Sequence, residues 1–211
     1  MYDNHFINEI LLKIGTQNDI LKVPVIIDSK AKEDDCFINV SEKIKRDGGS
    51  IIYGWTIHTF SFIYEAERHA VWLSRSNELI DITPRKIPYK EILFVPDSEN
   101  IWTYNGEYID NIRVNITKNT VVDDFIILNE TLSKLYQTGN RNSDGELMVN
   151  SSIGGIIKVF KRWKTDHEIF ILSGGNEEKL CYCCNNKTYR ECIGLKLKDE
   201  MKFILEKIKS K

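Results

Sequence analysis

The chain has 211 residues, 42% hydrophobic and 28% charged, with a formal net charge of −2. That length allows one large domain, or a domain with a small appendage, around a real core. Near-neutral charge excludes a global electrostatic footprint for nucleic acid, and no apolar run reaches membrane-spanning length. The start, MYDNHFINEILLK, lacks a basic stretch followed by an apolar one. The expected address is therefore cytoplasmic, with reduced thiols. Five cysteines are an odd number, so complete internal disulfide pairing is excluded.

Apolar residues spaced three and four apart predict a short helix over 5–15, capped by Gly15. LKVPVIID (21–28) reads as a short strand, with Pro24 arguing for a sheet edge. A second helix is expected to begin near Cys36, capped by Asp34 or Asp35, with Phe37, Val40 and Ile44 as its apolar stripe and Gly48-Gly49 as its stop. From Ser50 the period becomes two, and 50–84 reads as at least three strands. The last two form a hairpin, roughly 64–73 and 78–83, ended by Pro84. Further strand material is expected at 91–97 and 101–117, the latter with an Asn-Gly turn at 105–106. Helix follows from Asp123 to Gln137, then a Gly/Asn/Ser-rich loop over 138–146 and a mixed apolar segment from Ile153 to Trp163. The chain ends in an amphipathic helix after a cysteine-rich stretch.

Three residues in these elements carry a chemical pattern: Cys36 at a helix start, His69 on a strand and Asp81 on the next strand. A thiol at a helix N-terminus sits where free N–H groups favour an anion. A strand histidine can be held against it as base, and an acid on the other ring nitrogen sets the tautomer. His69 and Asp81 share a sheet face only if the hairpin loop holds an odd number of residues, such as Ser74-Arg75-Ser76. Glu67 is a competing partner for His69, since it lies two residues away on the same face. Trp55 and Trp72, with Glu67, are candidate walls of the cleft, although tryptophans more often pack a core.

Cys36 with Asn39-Val40, Gly54-Trp55, Ala66-Glu67-Arg68-His69-Ala70-Val71-Trp72 and Asp81-Ile82-Thr83-Pro84 resemble a family of bacterial papain-like proteins over about residues 34–97. The arrangement is similar to cell-wall peptidases and transglutaminase-like enzymes. It implies a nucleophilic Cys36, a base His69 and an orienting Asp81, with a protein or peptide substrate. Such enzymes usually place a side-chain donor, often Gln, a few residues before the Cys. Here that stretch reads KAKEDD, so Gln17, Asn18 or the backbone N–H groups of Cys36 and Phe37 must serve.

Cys181, Cys183, Cys184 and Cys192 crowd into twelve residues. In a reducing compartment such a cluster points to metal more than to disulfides. LCYCCNNKTYRECIG resembles the SEC-C zinc motif, found at the end of the preprotein translocase ATPase and on many other bacterial proteins. Cys181 and Cys183 match its first pair, Lys187 and Tyr189 its middle, and Cys192 its third ligand, while Ile193 stands at the fourth position. The resemblance implies a structural zinc, with Cys184 or His167 as fourth ligand, or a knuckle that has lost its metal. It also implies docking to a protein or to the ribosome.

The expected architecture is α+β: a papain-like domain over 1–117, a helical extension over 118–172, and a cysteine knuckle with a terminal helix over 173–211. The expected function is a cysteine-dependent amide hydrolase or acyl transferase, whether peptidase, amidase or deamidase. The alternatives are a catalytically inactive papain-like binding protein and a zinc-dependent interaction protein. No Gly-rich phosphate loop points to a nucleotide, and no membrane partner is expected.

Overall fold

A computed structural model describes residues 4–97, 102–142, 146–183 and 185–209. The chain is mixed helix and sheet and divides into two units. One comprises residues 1–60, 64–105 and 111–113, and the other 61–63, 106–110 and 114–211. The helical extension and the cysteine-rich segment thus share one unit.

In the first unit, α1 (Asn4–Ile14) stops at Gly15, whose φ of 81° lets its N–H turn back to Leu11 O at 3.0 Å. The strands β1 (Leu21–Pro24), β2 (Ser50–Thr59), β3 (Ile63–Leu73), β4 (Leu79–Ile80) and β5 (Glu91–Pro96) form a sheet in the order β1-β5-β2-β3-β4. A sixth strand, β6 (Ile112–Asn115), pairs with β3; the pairings of β1 with β5, of β2 with β3 and β5, and of β3 with β4 are antiparallel. Residues 102–111, expected as strand, carry no strand assignment, and Gly106 takes a φ of 90°.

The sheet nearly closes on itself. Val25, just past β1, bridges Asp81, just past β4; the Asp81 N–H donates to Pro24 O at 3.0 Å and Ile26 N–H to Asp81 O at 2.9 Å. Each closing end thereby finds backbone partners. Val23, Val71, Ile92 and Phe94 pack as one core on the inner face. On the other side, α2 (Cys36–Asp47) lays Val40 against Ala70 and Ile82, with Phe37, Ile44 and Trp72 around them. Asp35 is the N-cap of α2, but its side chain makes no capping bond; its carbonyl accepts from Asn39 N–H at 2.8 Å.

In the second unit, α3 (Thr120–Tyr136), α4 (Ser151–Leu172) and α5 (Ile193–Lys209) share a core of Leu128, Leu132, Leu135, Ile157, Phe160, Leu197 and Met201. Asn119 and Asn150 cap α3 and α4 by accepting from Val121 N–H and Ser152 N–H. The segment read as 153–163 is part of a 22-residue helix. Within the segment expected as a 138–146 loop, β7 (Asn140–Arg141) pairs with β8 (Leu147–Met148), just past it, in a two-residue ladder. Among the described residues no helix is long and apolar enough to cross a membrane.

Gly54 tests the inner packing of the sheet. A Cβ there would lie 2.2 Å from Val95 O and 2.5 Å from the Phe94 ring, and neither a paired backbone nor a fully buried ring can retreat cheaply. Gly54→Ala should lower stability by on the order of 3 kcal/mol. Urea unfolding of the two proteins checks this; equal midpoints would refute it.

Candidate functional site

The β2–β3 register places Gly54 opposite His69, and Thr56 opposite Glu67. Side chains alternate along a strand, so His69, Glu67 and Val71 share the inner face. The hairpin from β3 to β4 pairs Leu73 with Leu79 and closes through Ser74 N–H to Glu78 O at 2.9 Å, leaving the three-residue loop Arg75-Ser76-Asn77. Asn77 takes the left-handed turn conformation, with φ 63°. The odd loop count puts Asp81 on the His69 face, as the parity argument requires.

His69 and Asp81 meet. The His69 Nε2–H donates to Asp81 Oδ1 at 3.1 Å, with the two side chains 3% and 0% exposed. Thr83 N–H donates to the same oxygen at 3.1 Å. Glu67, the rival partner, is engaged elsewhere: Oε2 accepts from His58 Nε2 at 2.9 Å and from Arg85 Nη1 at 3.3 Å. The second partner of the His69 ring is Cys36, which is buried at the first position of α2. Asp81 stands on the Nε2 side of the ring, so Nδ1 is the nitrogen open to the thiol.

The electrostatics follow from this burial. Desolvation opposes a charge on His69, but negative charge on Cys36 and hydrogen bonds to Asp81 and Cys36 lift its pKa to about 10. Burial likewise works against an Asp81 carboxylate; the hydrogen bond and charge of His69, then the Thr83 N–H and Arg85, hold it below its ordinary value.

Asn39 brings these elements together. One turn into α2, its Nδ2 donates to Lys32 O at 2.8 Å and to Thr83 Oγ1 at 3.2 Å, and its Oδ1 accepts from Lys32 N–H at 2.9 Å. Asn39 therefore ties the loop before Cys36, the helix and the segment after Asp81 into one joint. Neither its role nor that of Arg85 emerges from residue type alone. Of the expected oxyanion donors, Asn18 is committed to Pro96 O at 2.8 Å.

The two tryptophans lie away from this face. Trp72 is three residues from His69, and Trp55 stands opposite Arg68, so both point to the outer side. Trp72 donates its indole N–H to Gly48 O at 2.9 Å and packs beside α2, with Lys43 4.7 Å over its ring. Trp55 stacks near the Arg68 guanidinium at 5.1 Å. That guanidinium also lies 4.3 Å over Trp102, within a cluster where Phe37 stacks on Tyr104 at 4.4 Å.

In the second unit, the thiols of Cys181, Cys183 and Cys192 lie within 4.8 Å of one another, close enough to bind a metal ion. Sulfurs around one tetrahedral ion stand roughly 3.8 Å apart, between the Cys183–Cys192 separation and the outer limit of the cluster. Cys183 and Cys192 approach to 3.1 Å. Burial pushes the Cys181 thiol up to about 11, while a hydrogen bond with Cys192 holds Cys183 below its ordinary value. Cys184 lies outside the described residues. His167 is not part of the cluster: Nδ1 meets Trp163 O at 2.8 Å and Tyr182 Oη at 2.9 Å, and Nε2 meets Tyr189 Oη at 2.9 Å. His167 is fully buried, and both its ring nitrogens are engaged within the packing of this unit.

No protein-family model, no curated protein and no solved structure matches this chain.

The raised His69 pKa has a direct reading. The ring should stay protonated well above its ordinary 6.5 and lose its proton near pH 10. Removing the negative partner by Cys36→Ala should shift that titration to lower pH. Long-range proton–nitrogen NMR of the imidazole checks both; a titration near 6.5, indifferent to Cys36, would contradict the assigned contacts.

Proposed function

We propose that this chain is a papain-like cysteine-dependent amide hydrolase or acyl transferase. The observation that supports the reading best is the buried series Cys36–His69–Asp81, a thiol at a helix start joined to an imidazole that is in turn held by a carboxylate. The Cys36 sulfur, its proton on His69, adds to the carbonyl carbon of an amide. The oxygen takes the negative charge and is met by first-turn N–H groups of α2, which have no intrahelical partner. As the carbonyl re-forms, the C–N bond breaks and His69 gives its proton to the leaving amine. Water or a second amine then attacks the thioester, His69 takes its proton, and the thiolate leaves. Asp81 stays ionised throughout and holds the Nε2–H tautomer. A protein or peptide substrate and a reducing, cytoplasmic setting belong to the same proposal.

Thiol chemistry tests it without a known substrate. Iodoacetamide should label Cys36 at neutral pH at least about 10-fold faster in the wild type than in His69→Gln, with the site located by peptide mapping. Equal rates would leave an inert papain-like binding protein as the better description.

For the second unit the proposal is a structural zinc on Cys181, Cys183 and Cys192, with Cys184 or a water as fourth ligand, on a knuckle that docks to a protein or to the ribosome. The closeness of the three thiols supports the metal, and the resemblance of the motif supports the docking. A bound ion would deprotonate all three sulfurs and cross-link the segment. Native mass spectrometry should find one zinc per chain, lost in Cys181→Ser; a chain purified with zinc present that carries none would refute the metal.

A further inference from the structure

We propose that Arg85 is the positioning residue of the Cys36 site: anchored on Glu67, it holds Asp81 and, through Asp81, keeps the His69 ring in the orientation the thiol needs. The inference rests on the catalytic reading of Cys36, His69 and Asp81.

Arg85 turns all three nitrogens of its guanidinium into the site. Nη1 lies 3.3 Å from Glu67 Oε2, Nη2 3.5 Å from His69 Nε2, and Nε 3.8 Å from Asp81 Oδ2. The side chain is only 17% exposed, so these contacts have little competition from water. Two of the four buried side-chain atoms without a hydrogen bond among the described residues are Arg85 Nε and Asp81 Oδ2, and they face each other. Buried orphans of opposite charge at that separation are rare unless something requires them.

The requirement is visible at the carboxylate. Oδ1 alone holds His69 and Thr83, and a carboxylate held by one oxygen can pivot about its Cβ–Cγ bond. A cation beside Oδ2 opposes the pivot. The same cation would be harmful one step nearer the ring. Nη2 can only donate, and Nε2 cannot accept while its proton is shared with Asp81. If Asp81 swung away, Nη2 could donate to a bare Nε2, the ring proton would move to Nδ1, and His69 could no longer take the thiol proton. Glu67 keeps the guanidinium at the longer distance, and Glu67 is in turn fixed by His58 on β2. The charged and titratable groups that meet His69 are thus Cys36 from α2, Asp81 after β4, Arg85 beyond it, and Glu67 on β3, with His58 behind Glu67.

The test is the pH profile of Cys36 alkylation in the full chain. Arg85→Met, which keeps the stem and removes the charge, should slow labelling at neutral pH by on the order of 10-fold and move the midpoint of the profile. Arg85→Lys, which restores a cation beside Asp81, should recover part of that loss. A role confined to folding would lower the melting temperature and leave the profile in place, which would overturn the proposal. So would a wild-type rate and profile in Arg85→Met with a native circular dichroism spectrum. Should Arg85→Met not fold, Arg85→Lys decides alone: a shifted profile supports the proposal and a wild-type profile overturns it. His69→Gln, run alongside, separates the two readings. If it labels like the wild type, the catalytic constellation itself fails; if it is slow while Arg85→Met is not, only the role of Arg85 fails.

Discussion

A carboxylate with no exposure to water stands at the seam where the sheet of the first unit closes. Placing a charge there is costly unless it is paired and hydrogen-bonded. Asp81 meets that demand twice over. Its backbone joins the two ends of the sheet through Pro24 and Ile26, and its side chain takes His69 and Thr83. Removing one partner of such a pair typically costs about 3–5 kcal/mol, because the survivor stays buried and unpaired. The closure and the site are therefore one construction. A change that opens the seam releases the carboxylate, and a change that removes His69 leaves it with only the Thr83 N–H and the Arg85 cation.

The second unit solves a similar problem without a closed sheet. Tyr189 is almost fully buried and presents its hydroxyl to Asp124 Oδ2 at 3.0 Å and to His167 Nε2 at 2.9 Å. Its ring stacks on Phe170 at 5.6 Å and leans on Gly194, where a Cβ would come within 2.7 Å of it. A buried polar chain is specific because half of it is worse than none. The residues of the cysteine-rich segment are thus held between a hydrogen-bonded core and the start of α5, and the three thiols gather on that frame. Lys187, which with Tyr189 matches the middle of the zinc motif, accepts from Cys181 N–H at 2.8 Å through its backbone carbonyl. In that contact the position acts by main-chain pairing, not by charge.

Much of this was readable in the residues, and the parts that were not were hidden for distinct physical reasons. Period two and a loop count suffice to put His69 and Asp81 on one face. The same arithmetic, carried three residues on, puts Trp72 on the other face, and the pairing of Trp55 with Arg68 does the same there. Residues 102–111 look like strand by composition, yet Trp102 and Tyr104 pack on Phe37 and Tyr53 instead of pairing. There side-chain contacts override propensity. Asn39 and Arg85 escape for a different reason. Their work depends on partners 44, 16 and 18 positions away in sequence, and no local pattern marks those partners.

The acidic residues before α2 act on Cys36 more weakly than the groups buried beside it. Asp34 is exposed and Asp35 half-buried, so their charges act on Cys36 largely through water. Two charges 4 Å apart interact by about 1 kcal/mol in water and by about 4 kcal/mol at the effective dielectric of a protein site. Salt screens the surface charges further, with a Debye length near 8 Å at physiological ionic strength, and screens the buried ones little. The His69 ring is buried, and its contacts with Cys36 and Asp81 favour its protonated form. The favourable term is the short, dry one, and the unfavourable terms are the long, wet ones. Two carboxylates before the helix therefore weigh less on this site than the buried contacts of His69 with Cys36 and Asp81.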